Sequence, residues 1–170
     1  MEKKLFLWEI SDFIFISIFG TLLHFFYEWS SENKIVGLFS ATNESTWEHL
    51  KLLFFPVLVF TIIQYFIVGN KFKGFLFTKA IATLLGMLTI VTLYYTYKGV
   101  IGKEFLIIDI IIFLLGAAVI ALFSFFRLPH GKGKNLTGAF IFIIITSLFI
   151  LFTFNPPQIA LFEQPDSLEK

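Results

Sequence analysis

Residues 105–126 read FLIIDIIIFLLGAAVIALFSFF. Apart from Asp109 the run carries no charge. At about 1.5 Å of helical rise per residue it is long enough to cross a hydrocarbon core of about 30 Å. Alternation of polar and apolar residues, the mark of a lipid-facing strand, is missing from it. The stretch therefore predicts a helix that lives in lipid.

Working outward, four more runs share this character: 5–29, 50–68, 75–97 and 136–154. Polar or glycine-containing segments at 30–49, 69–74, 98–104 and 127–135 separate the runs. The expected fold is all-α, a single transmembrane domain over residues 1–170 with five spanning helices. No composition break or strong internal repeat divides it. Composition agrees: 57% of the 170 residues are hydrophobic and only 15% are charged, with mean hydropathy +0.85. Soluble chains average roughly 25% charged residues. The first run follows Lys3 and Lys4 as a signal peptide would, but it extends to Trp29 and contains Glu9 and Asp12. A signal core is about 7–15 residues long and ends at small residues, so this run reads as a retained helix.

Basic residues give the expected orientation. With the N-terminus in the cytoplasm, the inner side carries Lys3, Lys4, Lys71, Lys73, Lys79, Arg127, Lys132 and Lys134. The outer side carries Lys34, Lys51, Lys98, Lys103 and Lys170. That predicts N-terminus in, C-terminus out, in the cell membrane, with the lipid bilayer as the first partner. Trp8, Trp29 and Trp47 fall near span ends, as interfacial anchors do. Pro56, inside the second run, is expected to kink it. Ala82 and Gly86 have the small-residue spacing that lets helices approach closely.

Most unusual polar residues fall on the expected outer side. Ser17, Thr21, His24 and Glu28 recur at helical spacing, on one stripe of the first helix. The following loop delivers Asn43, Glu44, Glu48 and His49 to the start of the second helix. Tyr94, Tyr95 and Tyr97 close the third, and Asp109 lies about 7 Å into the fourth, at the expected depth of His24. Ionisable groups inside a membrane usually face a partner or a water-filled cavity. His24, Glu28, Glu44, Glu48, His49 and Asp109 are therefore the expected lining of an outward-facing pocket, with Asn43 and Tyr95 in a second tier. A His24–Asp109 pair is one expectation. Asp12 stands apart on the inner half, with Lys79 as its only candidate partner, and few other polar residues are expected there.

Plainer readings stand beside these. Ser45 and Glu48 fit a capping box. The three tyrosines fit an aromatic belt. Lys51 and Lys79 are long enough to snorkel.

The segments GTLLHFFYEWS at 20–30 and NESTWEHLK at 43–51 resemble a family of small bacterial and archaeal polytopic membrane proteins classed only as a domain of unknown function. The resemblance continues through YYTYKGVIG at 94–102, IDI at 108–110 and FTFNPP at 152–157. It covers nearly the whole chain, and its most specific part is the Asn-Glu-Ser-x-Trp-Glu-His stretch. Members tend to carry a histidine after the double proline, where this chain has Gln158. The resemblance implies a membrane location and no particular activity.

Several function classes drop out. The net charge of +1 gives no reason to expect a nucleic-acid partner. P-loop and GxGxxG signatures are missing, as is a serine-nucleophile motif. The chain has no cysteine, which removes disulfides and thiolate metal sites. The histidines and carboxylates are of the right types for a divalent metal such as Zn²⁺. A metal-dependent membrane hydrolase acting on a lipid-like substrate is the first expectation. A proton- or ion-coupled transporter is the alternative. A non-catalytic subunit or sensor, as a homo-oligomer or with a membrane-protein partner, is the third.

Overall fold

A computed structural model describes residues 2–164. The end of the tail, with Lys170 from the outer basic set, lies outside the described residues. The long helices are α1 (Glu2–Trp29), α3 (Thr46–Ile67), α4 (Phe75–Ile101), α5 (Leu106–Arg127) and α6 (Asn135–Phe154), with a one-turn α2 (Lys34–Gly37) in the first loop. Five helices are long and apolar enough to cross a membrane. No strand occurs among the described residues.

Local chemistry sets the helix ends. Ser45 caps α3, its hydroxyl accepting from the Glu48 N–H, so α3 begins before the apolar run does. Thr46 to His49 form its first turn. At the far end of α4, Lys98 to Ile101 continue the helix past the expected stop. Gly102, at φ 72, ends it with its N–H on the Lys98 carbonyl, a left-handed position that glycine takes without the Cβ penalty. Asn135, opening α6, accepts from the Leu76 N–H at 3.0 Å, which satisfies an otherwise orphaned donor in the first turn of α4.

The bundle is built around α3, whose most apolar window is 61% buried against 22% in α5 and in α6. Ile16, Leu53, Phe54, Val57, Ile120 and Phe149 form the core. The outside is apolar as well: Phe66, Leu106 and Ile107 are each more than 70% exposed. A surface of that kind suits lipid contact.

Two glycine contacts let the helices close up. A Cβ on Gly86 would lie 2.8 Å from the Gly116 carbonyl oxygen, and one on Gly116 would lie 3.1 Å from that of Gly86. The small-residue position on α4 thus has its counterpart on α5. A Cβ on Gly20 would lie 2.6 Å from the Leu52 carbonyl oxygen. Pro56, inside α3, has no N–H to offer that carbonyl. Gly20 therefore lets α1 close over the one turn of α3 that proline leaves without its bond.

Candidate functional site

The polar residues separate into three groups. In the first, His24, Glu44 and His49 each present one ligand atom, all within 4.8 Å of one another. The Glu44 carboxylate reaches both rings, 4.0 Å from His24 Nε2 and 3.4 Å from His49 Nε2. The rings are 5.2 Å apart between centroids. His49 Nδ1 is 3.0 Å from the Ser45 carbonyl oxygen. With Nδ1–H donating there, Nε2 is left as a lone pair facing Glu44. His24 Nδ1 is buried without a hydrogen-bond partner. The group is half open, with His24 at 32% and Glu44 at 65% side-chain exposure.

Glu48 is not part of that trio. Its Oε2 accepts from the Thr42 N–H at 2.9 Å, the Thr42 hydroxyl at 2.8 Å and Lys51 Nζ at 2.7 Å. Lys51 also donates to the Gly37 carbonyl at 3.0 Å. Both side chains are sealed inside the protein, so Lys51 does not snorkel. The capping box is half made: Ser45 caps Glu48, while Glu48 turns away to hold the loop. Asn43 accepts from the Ser45 N–H, a local turn. Together these bonds set the path of residues 37–45 and hence the position of Glu44. Glu28 is exposed. The Ser17 and Thr21 hydroxyls donate to carbonyls of their own helix.

A second group joins α4 to α5 at the same end of the bundle. Tyr97 donates to Asp109 at 2.5 Å. Tyr94 and Lys98 both donate to Glu104. His24 takes Glu44 as its partner, not Asp109. Partial burial pushes the Glu104 carboxyl up. The hydrogen bonds from Lys98 and Tyr94 and the charge of Lys98 outweigh this, and the carboxyl is held below its usual range. Tyr95 donates to the Ala160 carbonyl at 2.9 Å and accepts from Thr46 at 3.4 Å, tying the segment after α6 to the top of α3. The tyrosines act as hydrogen-bond donors and not as a simple belt.

The third group corrects the expectation of a nearly apolar inner half. Lys79 of α4 is fully buried and donates to Glu9 at 2.7 Å and to Asp12 at 2.8 Å, both on α1. Gln64 of α3 donates to the other Glu9 oxygen at 2.8 Å. The Asp12–Lys79 pairing is made. Glu9 and Gln64 were missed, although Glu9 lies three residues before Asp12 and so on its helical face. Lys79 does not snorkel, because two carboxylates hold it inside.

Clefts of about 240 Å³, beside Glu9 between α1 and α5, and about 310 Å³, beside Arg127 and Lys132, occur elsewhere in the bundle. Neither includes His24, Glu44 or His49. The His24 group is a surface arrangement at a helix end and not the lining of either cleft.

Residues 1–168 match the model of a family of unknown function, DUF6512, and the chain belongs to that family. No curated protein and no solved structure matches it.

Proposed function

We propose that this protein is a multi-pass membrane protein that binds a divalent metal ion, Zn²⁺ by donor type, through His24, Glu44 and His49. The observation that carries the reading is the convergence of two imidazoles and a carboxylate from α1, the first loop and α3, within 4.8 Å. Two histidines and one carboxylate, with a fourth position left to water, is a donor set of catalytic zinc sites. The Nδ1 contact of His49 with the Ser45 carbonyl is the outer-sphere bond that orients a metal-binding ring. His24 Nδ1 is buried and unpartnered, so no protein hydrogen bond competes with an ion for that ring.

A zinc ion there would polarise a substrate oxygen and acidify its bound water. The group sits at the ends of helices that carry an apolar outer surface. The bonds within reach are those at the interface, in the headgroup region of a lipid or lipid-linked molecule. Hydrolysis of such a substrate is the activity we infer. Asp109 and Glu104, hydrogen-bonded to Tyr97 and to Tyr94 and Lys98, are the further carboxylates at this end of the bundle. We place this end outside the cell. The basic residues of the opposite end still outnumber those here once the ion-paired Lys79 and Lys51 are set aside.

Elemental mass spectrometry of the purified protein tests the reading, alongside a His24→Ala/His49→Ala variant. Near-stoichiometric transition metal in the wild type, lost from a variant that keeps its helical circular dichroism, supports it. A wild type that takes up no metal after incubation with Zn²⁺, Mn²⁺ and Fe²⁺ refutes it.

A further inference from the structure

We propose that Glu9, Asp12 and Lys79 form a proton-binding site within the bundle, holding one proton on Asp12 when the protein is at rest. The proposal is independent of the metal reading, since the site lies toward the opposite end of α1 and shares no residue with the His24 group.

Charge balance is the first ground. Two carboxylates face one ammonium, all three at most 3% exposed. If all were ionised, one negative charge would remain inside a bundle whose surroundings are lipid and aromatic rings. A buried charge without a counter-charge is strongly disfavoured, and a carboxyl in that position takes up a proton instead. Glu9 and Asp12 repel one another, and Lys79 attracts both. Around them, α3 brings the neutral Gln64 to Glu9. Across the cleft that Glu9 lines, α5 presents only Ala118, Ala121, Leu122 and Phe125. No second cation is supplied by either helix at this point.

The hydrogen-bond pattern says where the proton rests. Both Glu9 oxygens accept, one from Gln64 and one from Lys79. Asp12 Oδ2 accepts from Lys79. Asp12 Oδ1 is buried with no partner, and so is Gln64 Oε1. An unpartnered buried oxygen is costly as a bare acceptor. As an O–H, Asp12 Oδ1 becomes a donor, and α3 brings unpartnered buried oxygens of its own, Gln64 Oε1 and Thr61 Oγ1. The two carboxylates share this single proton, so its titration belongs to the pair. The step is a protonation equilibrium with water as source and sink, and no bond other than O–H forms or breaks. Below the cluster, Leu5, Phe75 and Leu128 pack as a second apolar core, a neighbour that offers no counter-charge.

Infrared spectroscopy of the purified full-length protein, in H₂O and D₂O across mildly acidic to alkaline pH, tests this. The wild type should show the C=O stretch of a protonated carboxylic acid at neutral pH, shifted down in D₂O. Asp12→Asn and Glu9→Gln should each lose one carboxyl's amplitude from that band. Either change leaves one carboxylate balanced by one ammonium, and a purely structural role would not make the two variants equivalent. No such band in the wild type, or an undiminished band in either variant, overturns the proposal. If the band is missing and Na⁺, but not choline, raises the thermal midpoint of the wild type, the balancing charge is a metal cation and the proton assignment is wrong.

Discussion

Asp12 on α1 and Lys79 on α4 meet at 2.8 Å with neither side chain reaching the surface. Lys79 balances the one charge that the Glu9–Asp12 pair keeps, and removing one side of a buried ion pair typically costs about 3–5 kcal/mol because the other side is left as a bare charge. Lys79→Met should therefore lower stability by about that amount, seen as a sharp drop in folded yield and thermal midpoint in detergent. Neutralising the group as a whole, with Glu9→Gln and Asp12→Asn added, should restore most of it. A Lys79→Met protein as stable as the wild type would mean that the ammonium does not compensate the carboxylates.

Gly20 faces the Leu52 carbonyl, with room for a hydrogen but not for a methyl group. A Cβ there would come within 2.5 Å of the Phe113 ring and 2.6 Å of the carbonyl oxygen. The ring can shift; the backbone of α3 cannot shift as easily. Gly20→Ala should cost about 1–3 kcal/mol, the usual range for overpacking. Gly99→Ala is the control, since a Cβ there meets nothing within 4 Å. Equal thermal midpoints for the two variants would contradict the close approach of α1 and α3.

Glu48 and Lys51 should govern the candidate metal site from a distance. They touch the loop and not the trio, so Glu48→Gln and Lys51→Met should both weaken metal binding by about 10–100-fold, the usual effect of supporting residues. His49→Ala should abolish it. Isothermal titration with Zn²⁺ separates the cases. If Lys51→Met left affinity untouched while Glu48→Gln abolished it, Glu48 would be a direct ligand.

Acid should loosen the α4–α5 turn. Lys98 and Tyr94 hold the Glu104 carboxyl below its ordinary range. Its folded pKa is thus lower than its unfolded one. The stabilisation is present above the unfolded value and is lost as pH falls through the folded value. For a partly exposed pair the effect is small, about 1 kcal/mol or less. Thermal midpoints measured from neutral pH down to about pH 3, below the ordinary Glu range, should fall, and Glu104→Gln should show a shallower fall. Parallel curves for the two proteins would remove Glu104 as the source.

Much of this protein could be read from one dimension. The lengths of the apolar runs gave five helices long and apolar enough to cross a membrane, because spanning lipid requires continuous apolar helix and little else satisfies the backbone there. Helix ends were less legible. The extra turn at Lys98–Ile101 and the early start of α3 depend on single capping contacts at Gly102 and Ser45. The polar residues at the His24 end were recognisable as a set, but not how they divide. His24, Glu44 and His49 converge; Glu48 goes to Lys51 and Asp109 to Tyr97.

The sequence by itself determined the all-helical, lipid-suited architecture and the identities of its few ionisable residues. Hydrophobicity and helical rise are additive along the chain, and counting captures them. Only the tertiary structure decided which charges meet. Glu9 and Lys79 are far apart in sequence, and the choice between snorkelling to water and a buried ion pair depends on how α1, α3 and α4 pack. That packing turns in part on where a glycine lets two helices close and where a proline leaves a carbonyl free.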